Sequence, residues 1–283
     1  MGKFINPFTD VGFKRIFGQE VSKPVLITFL NSLLEGEHHI LDLQFLDKEQ
    51  LGEQVDDRSL IYDVYCETAS GERIIVEMQN RYQSYFKNRS IYYLARSISR
   101  QGEPGPEWHY ADVKAVYLIA FLNFKLADIS TEFRTDVGLM DLRSKTPFSD
   151  KMRLIFLQLP YFTKEADECG TIFEKFIYVL KNMDVLKRMP WMAQEAVFQK
   201  LASIADVTSL NTQERQAYDE NLRKYRDTVA VMEGQYAKGM MEGHAKGSLD
   251  KALESARSMK ADKMPVELIA KYTGLDMETV NQL

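Results

Sequence analysis

Leu60-Ile61-Tyr62-Asp63-Val64-Tyr65-Cys66-Glu67, then Thr68-Ala69-Ser70-Gly71-Glu72, then Arg73-Ile74-Ile75-Val76-Glu77-Met78-Gln79 read as two β-strands joined by a tight bend. β-Branched and aromatic residues crowd both arms, and glycine closes the connection. Strand side chains alternate between faces, so Asp63, Tyr65 and Glu67 share one side, as do Ile75, Glu77 and Gln79. Which residues oppose each other depends on the loop. A two-residue turn at Ser70-Gly71 would set Asp63 against Met78 and send Glu77 to the other side. A three-residue loop, Ala69-Ser70-Gly71, sets Asp63 against Glu77. Three-residue loops favour a left-handed residue in last place, and Gly71 suits it. The expected result is two carboxylates with β-carbons about 4.5–5.5 Å apart, with Tyr62, Val64, Val76 and Met78 on the opposite, core-facing side.

Two acids so placed repel unless one is protonated or a cation lies between them. Magnesium accepts oxygen ligands and keeps waters that can act as nucleophiles. Exposed carboxylates meeting by accident are the alternative. Against it, Glu77 and Gln79 interrupt an otherwise apolar run, and breaks in a local pattern are where function is expected.

Outward from this hairpin, the N-terminal stretch Asn6 to Gly18 reads as a helix. Thr9 or Asp10 would cap it, Phe13, Ile16 and Phe17 would form its buried face, and Gly18 would end it. A second helix carries Val25, Leu26, Phe29, Leu30, Leu33 and Leu34, with Gly36 as its stop. Leu41, Leu43 and Phe45 alternate as a strand. Residues 82–101 read as a helix; Val113 to Leu122 and Arg153 to Leu159 read as apolar strands covered on both faces. The order predicts an α/β fold, a mixed sheet flanked by helices, followed by an α-helical C-terminal region. Helices are expected over 171–187, 191–205 and 211–238, then a glycine-spaced segment (Gly234, Gly239, Gly243, Gly247) and two short helices, Pro265 to Tyr272 and Asp276 to Leu283. Expected boundaries near 160 and 240 divide the chain into 1–160, 161–240 and 241–283.

Of the 283 residues, 45% are hydrophobic and 27% charged, an ordinary globular balance. No apolar run nears the roughly 18 residues of a membrane span, and the first residues do not open a secretory signal. A net charge of −5 argues against nucleic-acid binding by overall charge, though not against local basic surfaces. Cys66 and Cys169 are too few for a disulfide framework or structural zinc, so buried free thiols in a reducing cytoplasm are expected. His38-His39, His109 and His244 lack metal-ligand spacing. Nucleophile-elbow, Walker A and dinucleotide glycine motifs are missing from the sequence.

In combination the motifs are more specific. Thr9-Asp10-Val11-Gly12-Phe13-Lys14-Arg15-Ile16-Phe17-Gly18, then Phe29-Leu30-Asn31-Ser32-Leu33-Leu34, then Asp63 and Glu77-Met78-Gln79 after a glycine turn, resemble the recombination-promoting nuclease/putative transposase family of the PD-(D/E)XK superfamily. The likeness runs from about residue 4 to 160, and Ile269-Ala270-Lys271-Tyr272-Thr273-Gly274-Leu275 is also typical of its members. It implies a restriction-endonuclease-like core and Mg²⁺-dependent cleavage of DNA phosphodiesters, with Asp63 and Glu77 as metal ligands. The superfamily commonly has lysine two residues after the acid, where this chain has Gln79. A neutral amide can orient water or phosphate but supplies no charge, and Lys14 is a candidate for that missing charge if its helix packs beside the hairpin. A solvated helix lysine is the equal alternative for Lys14, and Asp10 reads as a helix cap.

The segment Arg81 to Arg100 contains basic residues and no acids. Arg89, Arg96 and Arg100 fall near one helical face with Tyr92 or Tyr93, which makes them candidates for DNA phosphate contacts. In the other reading Ile91, Leu94 and Ile98 are buried and the arginines lie in water. The C-terminal helices could mediate homo-oligomerisation. The rival to a nuclease is a catalytically silent DNA-binding or assembly protein that retains the fold.

Overall fold

The computed structural model describes residues 2–37, 39–47, 49–50, 60–126 and 128–283; His38 lies outside them. Helix α1 (Asp10–Phe17) starts where Thr9 Oγ1 accepts the Gly12 N–H at 3.0 Å, so Thr9 is the cap and Asp10 is not. Asp10 instead pairs with Lys14 one turn on, at 2.5 Å. Gly12 must lack a side chain, because a Cβ there would run into the Asn6 carbonyl oxygen. Helix α2 (Lys23–Leu33) buries Val25, Leu26, Phe29, Leu30 and Leu33, as its spacing predicts.

Strand β1 (Leu43–Phe45) is shorter than expected, since only Leu43 finds a core position and Leu41 stays 79% exposed. Strands β2 (Glu49–Gln50) and β3 (Leu60–Ile61) pair as a small separate ribbon. Strands β4 (Val64–Thr68) and β5 (Arg73–Gln79) form the hairpin, followed by α3 (Phe86–Ser99), β6 (Val116–Leu122), β7 (Arg134–Met140) and β8 (Pro147–Gln158). Helices α4 (Ile172–Asn182), α5 (Ala196–Ala205), α6 (Thr212–Ala261), α7 (Val266–Thr273) and α8 (Met277–Gln282) complete the chain.

Six strands make one mixed sheet in the order β1-β4-β5-β6-β8-β7. Strands β5, β6 and β8 run parallel, while β1, β4 and β7 join antiparallel. The parallel step from β5 to β6 is made through α3, as parallel neighbours require a crossover. Strand β6 is buried along its whole length because both faces are covered. On one face Phe121 meets Phe13 and Phe17, with ring centroids at 5.8 Å, and Phe29 at 5.3 Å. Phe176 and Phe198 from α4 and α5 extend that aromatic layer. On the other face α3 lays Phe86 and Leu94 over Ile75, Leu118, Ala120 and Phe156. Ile91, expected in that layer, is 53% exposed.

Strand β7 and the first half of β8 were not expected. Strand β7 lies at the sheet edge, pairing from Arg134 to Gly138 with Leu157 to Arg153 and only at Leu139 and Met140 with the first half of β8. Both stretches are half-buried to exposed and carry no apolar alternation, and the ladder is irregular around Gly138-Leu139-Met140. Helix α6 is also longer than expected. It runs through all four glycines, each costing about 1 kcal/mol relative to alanine, which is too little to stop a helix of 50 residues.

The chain groups into two compact units, one up to Leu222 and the other Arg223–Leu283. Helices α4 and α5 pack on α1 and α2 within the first. In the second, Ala256, Ile269 and Val280 form a small core, and Lys260 Nζ donates to the carbonyls of Val280 and Asn281. Among the described residues no helix is long and apolar enough to cross a membrane.

The hairpin register rests on Gly71. Pairing runs Val64↔Val76, Tyr65↔Ile75, Cys66↔Ile74 and Glu67↔Arg73, which leaves Ala69-Ser70-Gly71 as the loop. Gly71 takes φ +90° and donates to the Thr68 carbonyl at 2.9 Å. Gly71→Ala would force a Cβ into the left-handed region and within 3.2 Å of the Lys114 side chain. The expected cost is about 1–3 kcal/mol, read as a fall of several degrees in Tm by circular dichroism; an unchanged Tm would show that the loop relaxes freely.

Candidate functional site

Extended by one residue, the hairpin register brings Asp63 level with Glu77. Alternation of the antiparallel ladder would next give the Met78 N–H to the Tyr62 carbonyl. Instead the chain bends at Asp63, and Asp63 Oδ2 takes the Met78 N–H at 2.8 Å. The acid thus ends the ladder by replacing a backbone acceptor with its own side chain. The same bend turns Tyr62 away from the side expected for it, so that it packs on Tyr65 and Tyr93 at 5.0 and 5.2 Å. In return, Glu77 Oε1 accepts the Asp63 N–H at 3.3 Å. Each acid therefore holds the other's strand.

Glu77 is only 6% exposed, while Asp63 is partly open to solvent. Burial and the neighbouring Asp63 carboxylate push the Glu77 carboxyl up to about 8, well above its ordinary range. Burial also raises Asp63, opposed by the Met78 N–H and by the positive charges of Lys14 and Arg89. Helix α1 from one side of the sheet and α3 from the other thus both project charge onto the end of β5. Asn80 helps to place α1, since its Nδ2 donates to the Phe8 carbonyl at 2.6 Å.

Gln79 sits beside the pair, its Nε2 donating to Glu77 Oε2 at 3.0 Å. Arg89 donates from Nη2 to Gln79 Oε1 at 2.6 Å and from Nη1 to Gln83 Oε1 at 2.9 Å. The structure therefore brings together Asp63, Glu77, Gln79 and Arg89, with Lys14 within electrostatic reach. Arg96 and Arg100 lie farther along α3, about 10 and 16 Å beyond Arg89 at 1.5 Å per residue. Arg100 acts on the buried Tyr62. Gln83 was expected inside the 82–101 helix but lies ahead of α3, and nothing local marks it as the partner of an arginine 6 residues on. The contact of Asn80 with Phe8 spans 72 positions, and no local pattern announces such a pair.

A family model of PD-(D/E)XK nuclease family transposases matches residues 7–235. The chain belongs to this family. Its nuclease-like character follows from that membership, and the six-stranded mixed sheet with flanking helices agrees with the family's α/β fold. No curated protein and no solved structure matches the chain. PD-(D/E)XK nucleases typically use divalent metal ions. The donor set here fits a hard cation, being two carboxylates drawn together against their repulsion, one of them partly open to water. Among the described residues no cluster of three or more His, Cys, Asp and Glu groups offers a fuller cage. Magnesium, bound through one or two carboxylates with several retained waters, needs none.

The raised carboxyl has a measurable consequence in this PD-(D/E)XK protein without metal. Between the ordinary carboxylate range and about pH 8, folded Glu77 keeps a proton that the unfolded chain has lost. The folded state binds more protons in that window, so stability falls as pH rises through it. In EDTA, wild-type Tm should decline from pH 5 to 8.5. Glu77→Gln should flatten that decline and raise Tm at pH 8, as followed by differential scanning calorimetry; parallel curves for the two proteins would contradict the buried-acid assignment.

Proposed function

We propose that the protein is a magnesium-dependent DNA endonuclease acting in recombination or transposition, with Asp63 and Glu77 as its metal ligands. The observation that carries this reading is the mutual placement of the two acids, one buried and one opening to solvent, at the end of a central strand. When bound, magnesium supplies an activated water and neutralises charge developing on the phosphate.

The protein's own groups prepare that chemistry. The Met78 N–H fixes one oxygen of Asp63, and the Asp63 N–H and Gln79 amide fix the two oxygens of Glu77, so both acids are held by donors before a cation binds. Lys14, whose side chain is 26% exposed and braced by Asp10, is the cation best placed to meet a phosphate oxygen beside Asp63. Along α3, Arg96 and Arg100 continue a basic path for the DNA backbone, contacts that position without reading sequence. The C-terminal helices α7 and α8, with Leu268, Tyr272 and Met277 exposed on and beside them, are where a second copy would pair to form a homo-oligomer.

Supercoiled plasmid incubated with Mg²⁺ should be nicked by the wild type and spared in EDTA. Asp63→Ala should lower the rate by at least about 100-fold, the scale of losing a group that stabilises transition-state charge. Lys14→Met should lower it by about tenfold or more, with Tm preserved. Equal nicking by wild type and Asp63→Ala would trace the activity to a contaminant, and DNA binding by an inactive wild type would establish the silent rival.

A further inference from the structure

A glutamine amide has two ends of nearly equal shape and opposite hydrogen-bonding sense, one only accepting and the other only donating. In the carboxylate centre that sense matters. If Gln79 turned its oxygen toward Glu77 in the ionised form that would hold a cation, two acceptors would face each other within contact distance, and a buried carboxylate would lose a donor that it requires. Gln79 alone does not decide between the two orientations. Its other neighbour does. The guanidinium of Arg89 carries donors and no acceptor, so the amide end that meets it must be the oxygen. The NH₂ end is then left for Glu77 Oε2.

Arg89 can impose this because it is itself held. Its second donor is spent on Gln83 Oε1, at the approach to α3. Its guanidinium lies over the rings of Phe86 and Tyr93, 5.6 and 5.8 Å from their centroids. Phe86 in turn is buried against Phe156 and Phe124. The chain of contacts thus runs from the packed face of α3 through Arg89 and Gln79 to Glu77.

We infer that Arg89 is a positioning residue for the nuclease reaction, fixing the sense of the Gln79 amide so that Glu77 always meets an N–H donor. This rests on the nuclease reading of the same centre. It gives Arg89 a different task from gripping a DNA phosphate. It also explains how a neutral glutamine serves where a charged side chain would need no such control: an ammonium donates in every orientation.

Three variants and two readouts separate these roles. Arg89→Ala should reduce kcat for plasmid nicking by about 10–100-fold, the usual effect of removing an outer partner of a metal ligand, with KM for DNA unchanged. Adding Gln79→Lys to Arg89→Ala should restore kcat to within a few-fold of wild type. Arg89→Lys keeps a donor and should hold most of the activity, which also covers the case in which the alanine variant is unstable. The second readout needs neither metal nor activity. In metal-free protein the Gln79 side-chain amide, assigned by its loss in Gln79→Glu, should give a protected ¹⁵N–H₂ signal that becomes exchange-broadened in Arg89→Ala and persists in Arg89→Lys. A rise in KM with unchanged kcat, or an unaltered Gln79 signal in Arg89→Ala, would overturn the proposal in favour of a phosphate contact. Wild-type protein that nicks no DNA would sink the nuclease reading, while the amide signal would still decide the role of Arg89 in the centre.

Discussion

Two carboxyl groups held next to each other at the end of a strand, where both cannot easily ionise, are the constraint around which this protein is arranged. Left alone, Asp63 and Glu77 would separate or share a proton, and burial of Glu77 sharpens the conflict. The fold keeps them together by several modest devices: a three-residue loop that fixes register, a bend that trades a ladder bond for a carboxylate acceptor, and donors aimed at each acid. None of these is strong singly. Their common effect is a pair of acids whose positions are set by the protein's own donors, the kind of preorganisation that rigid sites rely on.

The surrounding architecture follows the same logic. Strand β6, apolar on both faces, lets helices pack on either side of the sheet and so lets α1 and α3 approach the end of β5 from opposite directions. One brings Lys14, the other Arg89. A sheet covered on a single face could supply only one of them. Aromatic rings clustered on Phe121 tie α1 and α2 to the sheet and make the approach of Lys14 a matter of core packing rather than of a mobile surface chain.

Much of this was legible in the sequence where one physical signal dominated. Alternation and a loop-ending glycine were enough to set Asp63 against Glu77, since a one-residue slip would have exchanged the two faces of β5. Helical spacing identified the buried faces of α1 and α2. Legibility failed where that signal is weak or the decisive partner lies far off. Strand β7 sits at an edge, half-buried to exposed, so it shows no period. Glycines in α6 suggested a break, yet their cost is small beside the length of the helix. Tyr62 changed sides because Asp63 bends the chain, an event set by a side chain taking a backbone bond and invisible to any rule of alternation. The link from Arg89 to Gln79 joins a helix to a strand, and charge pattern alone read that arginine as a candidate DNA phosphate contact.

The grip of Asn80 on the Phe8 carbonyl has a wider implication. It fastens the loop ahead of α1 to the residue that follows Gln79, so the electric field at Asp63 is tuned by a segment that contributes no atom to the carboxylate pair. Gly12, pressed against the Asn6 carbonyl, is a second pin in that same turn. Substitutions from Asn6 to Gly12 should therefore disturb the carboxylate pair as readily as changes beside the acids themselves, detuning it while both side chains stay in place.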